Sequence, residues 1–177
     1  MRIIMICGKA RSGKDTLADF LIEDLKNKKP CKIQIGQYIK YYAMKYFGWD
    51  GEEETKPRDL LIHLGTDIIR NKIDSNFHIN RLIEDLEVLS YFYDTFIVSD
   101  VRFPVEIEKV KEKYDNVVTI KIERNSEELS ESQKKNITET ALDEYNDYDC
   151  FIDNNGTLEE LGNEAKNIIK KIGEVDE

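Results

Sequence analysis

Residues 8–16 read GKARSGKDT, in which Gly8 and Gly13 bracket a loop and Lys14 directly follows the second glycine. Successive backbone N–H groups in such a loop can close around an anion. The glycines admit phosphate oxygens close to the main chain, and the lysine reaches the β- and γ-phosphates of a nucleotide. The usual pattern, G-x-x-x-x-G-K-[ST], puts a magnesium-ligating hydroxyl after the lysine. Here Asp15 stands in that place, and Thr16 supplies a hydroxyl one residue later. Three roles are open to Asp15: direct approach to magnesium, orientation of a metal-bound water, or a favourable charge at a helix N-terminus. Lys9 and Arg11 concentrate further positive charge in the loop of a chain whose net charge is −10. Gly8, Lys9, Arg11, Ser12, Gly13, Lys14, Asp15 and Thr16 are therefore the candidate nucleotide-binding residues.

A second constellation is VSDVRFP, residues 98–104, an apolar run that ends in Asp100 with Arg102 two positions on. Ligands of open α/β sheets bind at the carboxyl ends of strands, so both side chains should face the crevice that holds the loop. Asp100 suits magnesium and Arg102 suits a phosphate; the plainer alternative is that they pair with each other, for at most about 1 kcal/mol if exposed. A third group is Arg58 and Arg70 around Leu64-Gly65-Thr66-Asp67. Arginine forks match phosphate geometry, which makes Arg58 and Arg70 candidates for a phosphate contact, with Thr66 and Asp67 between them as further candidate site residues. The alternative is an Asp67–Arg70 surface pair of about a few tenths of a kcal/mol. His63 and His78 have neither metal-ligand spacing nor a nucleophile elbow beside them. Tyr38, Tyr42 and Trp49 could stack on a base, although aromatic residues at helical spacing more often fill a core.

These groups need elements to hold them. RIIMIC, residues 2–7, is a short β-branched run ending at Gly8, and Leu17, Ala18, Leu21, Ile22 and Leu25 recur with helical period. Strand, glycine loop and helix is the setting a phosphate loop requires. Further strands are expected at residues 31–35, 95–99, 117–122 and 149–153, and helices at 37–47, 57–73, 77–93 and 104–113. Gly65 interrupts the 57–73 helix at about 1 kcal/mol relative to Ala, which close approach of another group would explain. Thr157 and Glu160 have capping-box spacing before a last helix. Residues 123–147 are highly charged without a clean apolar period and read as disordered or as a functional lid. Alternating strands and helices imply an α/β fold, a parallel sheet flanked by helices.

A chain of 177 residues, 40% hydrophobic and 35% charged, suits one compact domain over 1–177. No apolar run approaches the roughly eighteen residues of a membrane span, and the first run leads into the loop rather than to a cleavage site, so a soluble, cytoplasmic protein is expected. Cys7, Cys31 and Cys150 suit buried, reduced thiols. The negative charge argues against nucleic-acid and membrane partners. Self-association as a homodimer stays open.

Taken in order, GKARSGKDT, PRDLLIHLGTDIIR, VSDVRFP and FIDNNGTLEEL resemble the deoxynucleoside monophosphate kinase family of phages and bacteria, within the adenylate-kinase-like P-loop kinases. The resemblance implies a five-stranded parallel sheet, a monophosphate-binding region over about 37–93 and a lid-like insertion over about 123–147. It implies ATP and Mg²⁺, with γ-phosphoryl transfer to a (deoxy)nucleoside 5′-monophosphate. Lys14 and Arg11 would neutralise phosphate charge, Arg70 and Arg102 would clamp the acceptor or transferring phosphate, and Asn155 and Gly156 would belong to the adenine-side loop. Lids of adenylate-kinase-like enzymes usually supply arginines to the transferring phosphoryl group, whereas here only Arg124 is available, with Lys134 and Lys135 further along. A phosphate acceptor, with a second pKa near 6, is already anionic at neutral pH, so the reaction needs positioning and neutralisation more than a general base. Two rivals stand beside this reading: a kinase of another phosphorylated metabolite, such as a phosphomevalonate kinase, and a non-catalytic ATP sensor.

Overall fold

The computed structural model describes residues 1–125 and 137–173. The chain divides into two compact units, one of Met1–Ile33 with Leu89–Glu177 and the other of Gln34–Val88.

The first unit is built on a five-stranded, wholly parallel sheet: β1 Arg2–Cys7, β2 Pro30–Ile33, β3 Thr95–Val101, β4 Val117–Glu123 and β5 Cys150–Asp153, in the order β2-β3-β1-β4-β5. The central strand β1 is an apolar run because both faces are covered, with Ile3 through Cys7 all fully buried, and β3 carries the buried run Phe96–Val98 beside it. The edge strands are shorter and mixed: β2 carries Lys32 and β5 leaves Phe151 63% exposed.

Helix α1, Lys14–Asp24, places Leu17, Ala18 and Leu21 in a core with Ile4, Ile6, Ile97 and Ile120. The last helix described, α7 Leu158–Gly173, closes that core with Leu161, Ala165, Ile168 and Ile172, an i, i+4, i+7, i+11 stripe. Its entry has the expected capping box, with Thr157 N–H donating to Glu160 Oε2 at 2.6 Å and Glu160 N–H to Thr157 Oγ1 at 3.2 Å. Helix α5 spans Pro104–Lys113, the range read from its proline start and apolar period.

β1 lies between β3 and β4, so the chain crosses it to reach the other half of the sheet. That is a topological switch point; the glycine loop follows β1 there, and Asp100–Arg102 close β3 beside it. The β1–β3 register slips between Met5↔Val98 and Cys7↔Val101, which inserts one residue of β3 at Ser99–Asp100. A bulge at that point re-aims side chains where the ligand crevice begins.

The second unit holds α2 Gln37–Phe47, α3 Arg58–Ile62, a π-helical stretch His63–Ile73 and nearly all of α4 Phe77–Leu89. The expected single helix over 57–73 thus changes winding at His63. Gly65 explains its own presence: a Cβ there would lie 2.6 Å from Ile39 Cδ1, and its carbonyl meets His78 Nε2 at 3.1 Å. Helix α4 ends at Leu89, short of residue 93, and residues 90–93 turn toward β3.

Among the described residues no helix is long and apolar enough to cross a membrane. All three cysteines are free thiols. Cys7 is buried as expected, whereas Cys31 and Cys150 near the edge strands are only half-buried.

Candidate active site

The loop between β1 and α1 takes its shape from groups that crowd it. A Cβ on Gly8 would run into the Ile122 carbonyl oxygen and lie 2.7 Å from Ser12 Oγ. Gly13 has φ 97°, and a Cβ there would strike Asn154 Nδ2. That amide, itself buried, donates to the Ser12 carbonyl at 2.8 Å. Arg11 holds φ 63°, a left-handed conformation that costs an ordinary residue about 1–3 kcal/mol and persists where surroundings enforce it. Ser12 Oγ is buried without a hydrogen-bond partner, a hydroxyl kept dry inside an anion-binding loop.

Lys14 is 6% exposed and its Nζ donates to the Lys9 carbonyl at 2.6 Å. Burial first, and then the Arg102 guanidinium, pull its ammonium down to about 7, while Glu139, Asp15 and Asp100 act in the opposite direction. Burial and the neighbouring guanidinium thus disfavour the charged form of this side chain.

Gly8, Lys9, Ser12, Arg102 and Arg124 line one cavity of about 270 Å³ where the loop meets the ends of β3 and β4, whereas Lys14, Asp15 and Asp100 are not among its lining residues. Arg102 Nη1 donates to the Gly8 carbonyl at 3.2 Å and to Glu139 Oε1 at 2.9 Å. The turn that presents it is fixed by Glu106, whose Oε2 accepts the N–H groups of Arg102 at 2.8 Å and Phe103 at 3.0 Å. Glu139 lies on the short helix α6, Ile137–Thr140, and its Oε2 also accepts the Ala10 N–H at 2.6 Å.

Asp15 opens α1 with a largely exposed side chain, yet it is held from two strands: Ser99 Oγ donates to Oδ1 at 3.0 Å, and Lys32 Nζ lies 3.2 Å away. Thr16 follows it, half-buried. Asp100 sits half-buried at the β3 bulge. Among the described residues no cluster of three metal-binding side chains occurs. Asn155 and Gly156 form the exposed turn after β5, with Asn155 Oδ1 accepting the Asn125 N–H at 2.8 Å beside Arg124.

Arg58, Thr66, Asp67 and Arg70 belong to the Gln34–Val88 unit. Arg58 is ion-paired with Glu53 at 2.6 Å, and Arg70 Nη1 donates to the Ser75 carbonyl at 3.2 Å. Asp67 is met by His63 Nδ1 at 2.9 Å, a pairing four apart on the π-helical stretch. Tyr38 Oη donates to Asp85, and Trp49 Nε1 to the Glu52 carbonyl, so these aromatic residues have polar partners already.

Of the lid-like insertion, residues 126–136, including Lys134 and Lys135, lie outside the described residues. The described remainder supplies groups that the sequence reading passed over. Glu139 lay in a charged stretch without period and gave no signal. Asn154 did give one: it continues the inward positions of β5 two residues after buried Ile152, where a polar residue needs a partner. Lys32, on the edge strand β2, belongs to no motif that would single it out.

A phosphate loop with a buried lysine, at the switch point of a five-stranded parallel sheet of this order, defines a P-loop kinase. Solved kinases share the fold: a gluconokinase from Sinorhizobium meliloti superposes with TM-score 0.58 at 14% identity, covering 98% of this chain and 94% of that one. The shikimate kinase of Aquifex aeolicus gives TM-score 0.55 at 18% identity, covering 97% of each. The family model for deoxynucleotide monophosphate kinase matches residues 32–165, and the chain belongs to that family. It is 32% identical over 123 residues to the deoxynucleotide monophosphate kinase of phage T4, a match covering 67% of this chain and 47% of the T4 protein, about half its length. A putative deoxynucleotide monophosphate kinase of Acanthamoeba polyphaga mimivirus is 27% identical over 188 residues, covering 91% and 92%.

Proposed function

We propose that the protein transfers the γ-phosphoryl group of ATP to the 5′-phosphate of a deoxynucleoside monophosphate, releasing ADP and the nucleoside diphosphate. The observation that carries this reading is the convergence of Lys9, Arg102 and Arg124 on the cavity beside buried Lys14 and the unpartnered Ser12 hydroxyl. In this reading the loop N–H groups and Lys14 hold the donor phosphates. An acceptor phosphate oxygen attacks the γ-phosphorus as the bond to the β–γ bridging oxygen breaks, and Arg102 offsets the charge spread over the transferring group. The acceptor is already ionised, so no side chain has to remove a proton.

Magnesium is commonly bound through one or two carboxylates with substrate phosphates completing its shell, and Asp15 and Asp100 suit that pattern. When bound, the ion neutralises charge on the β- and γ-oxygens. Arg58, Thr66, Asp67 and Arg70 are our candidates for holding the acceptor. The expected setting is the cytoplasm, with small nucleotides as partners.

The test is to supply ATP, Mg²⁺ and each deoxynucleoside and ribonucleoside monophosphate in turn while following ADP. Turnover with at least one, falling about a hundredfold or more in Lys14→Ala, is expected. ATP binding without turnover on any acceptor would leave a sensor, and turnover only with another phosphorylated metabolite would leave a different kinase.

A further inference from the structure

Glu139 carries the same charge as a phosphate ligand, yet it sits on groups that would bind one. Its Oε2 takes the Ala10 N–H at 2.6 Å and its Oε1 takes Arg102 Nη1 at 2.9 Å, with the side chain only 10% exposed. One main-chain N–H between the two loop glycines and one guanidinium N–H are the bonds a phosphate oxygen would make here. The carboxylate is also near enough to Lys14 to act on its charge. Arg102, which in the reading above serves the transferring γ-phosphoryl group, holds Oε1, so the carboxylate lies toward the terminal-phosphate end. The cradle is only partly used, since Ser12 Oγ still lacks a partner. Helix α6, which delivers Glu139, is four residues long.

We propose that Glu139 is a resident anion at the terminal-phosphate position, and that by competing there it sets how strongly the protein favours a nucleoside triphosphate over a diphosphate. The inference rests on the nucleotide-binding reading above. A diphosphate occupying the deeper part of the loop leaves Glu139 in place. A triphosphate must break both of its charge-assisted bonds and return the carboxylate to water. Glu139 thus lowers affinity for the donor more than for its product, a specificity that the glycine loop alone does not provide.

The experiment is calorimetric titration of the full chain with Mg²⁺ and either ADP or the non-hydrolysable β,γ-imido analogue of ATP. Wild type is compared with Glu139→Gln, which keeps the shape and removes the charge, and with Glu139→Ala, which removes both. In each variant the triphosphate analogue is expected to bind about fivefold or more tightly, while ADP stays within about twofold of wild type. An unchanged or weaker triphosphate affinity, or an equal gain for both nucleotides, overturns the inference and leaves the Arg102–Glu139 pair as a structural contact. Failure of the wild type to bind either nucleotide would overturn the nucleotide-binding reading itself, an outcome distinct from selective failure of the variants.

Discussion

Lys14 carries a large electrostatic cost of burial. Burial and Arg102 bring its ammonium to about 7 from an ordinary 10.5. Between those values the unfolded chain binds more protons than the folded one, so this lysine's contribution to stability grows as pH rises through that window and is lost as pH falls below it. Nucleotide binding runs the other way, because incoming phosphates restore the charge. With saturating magnesium, binding at about pH 8 should take up a proton, and at about pH 6, where the lysine is already charged, the uptake should nearly vanish. Calorimetry in buffers of different ionisation enthalpy measures this, and proton release at the higher pH would contradict it. The loop residues themselves were readable because their chemistry is local: spacing alone places Gly8, Gly13 and Lys14. Glu139 and Lys32 were not, because their roles come from partners 129 and 17 residues away.

At the scale of elements, two glycines separate conformational need from simple crowding. Gly13 combines φ 97° with the Asn154 amide pressed against it, so Gly13→Ala meets both a strained backbone and a fixed buried neighbour. Gly65 lies in a helical stretch, and an added methyl would touch the far end of the Ile39 side chain, which can rotate away. Gly65→Ala is expected to cost less than about 1 kcal/mol, since the helix-propensity gain of similar size offsets the repacking. Gly13→Ala is expected to cost about 2 kcal/mol or more. Urea unfolding would rank the two, and equal costs would defeat the distinction. Several elements were readable from local signals, notably α2 at residues 37–47 and α5 opening at Pro104. The β3 bulge and the π-helical winding from His63 were not, because each answers to a neighbour distant in sequence: β1 for the first, Ile39 and His78 for the second.

For the molecule as a whole, alternating patterns announced a parallel sheet, but strand order and register come from contacts that no short window contains. The core of the first unit joins distant segments, with Leu17 and Leu21 of α1 in one cluster with Leu161 and Ile168 of α7. Ile168→Ala should therefore destabilise that whole unit by about 2–5 kcal/mol, a large share of the roughly 5–15 kcal/mol typical of a domain. Hydrogen exchange would show whether the loss reaches β1, at the opposite end of the chain order from α7, and protection unchanged in β1 would refute a shared core.

The Asn154 amide has a consequence for the order in which the protein becomes competent. Its bond to the Ser12 carbonyl spans 142 residues. Such a long closure carries a large entropic cost and forms late relative to local helix and turn contacts. The phosphate loop stands near the start of the chain, yet the support that finishes it comes from beyond the fifth strand. A growing chain has the complete motif long before it has a completed binding loop, so an unfinished product of synthesis is poorly placed to sequester nucleotide.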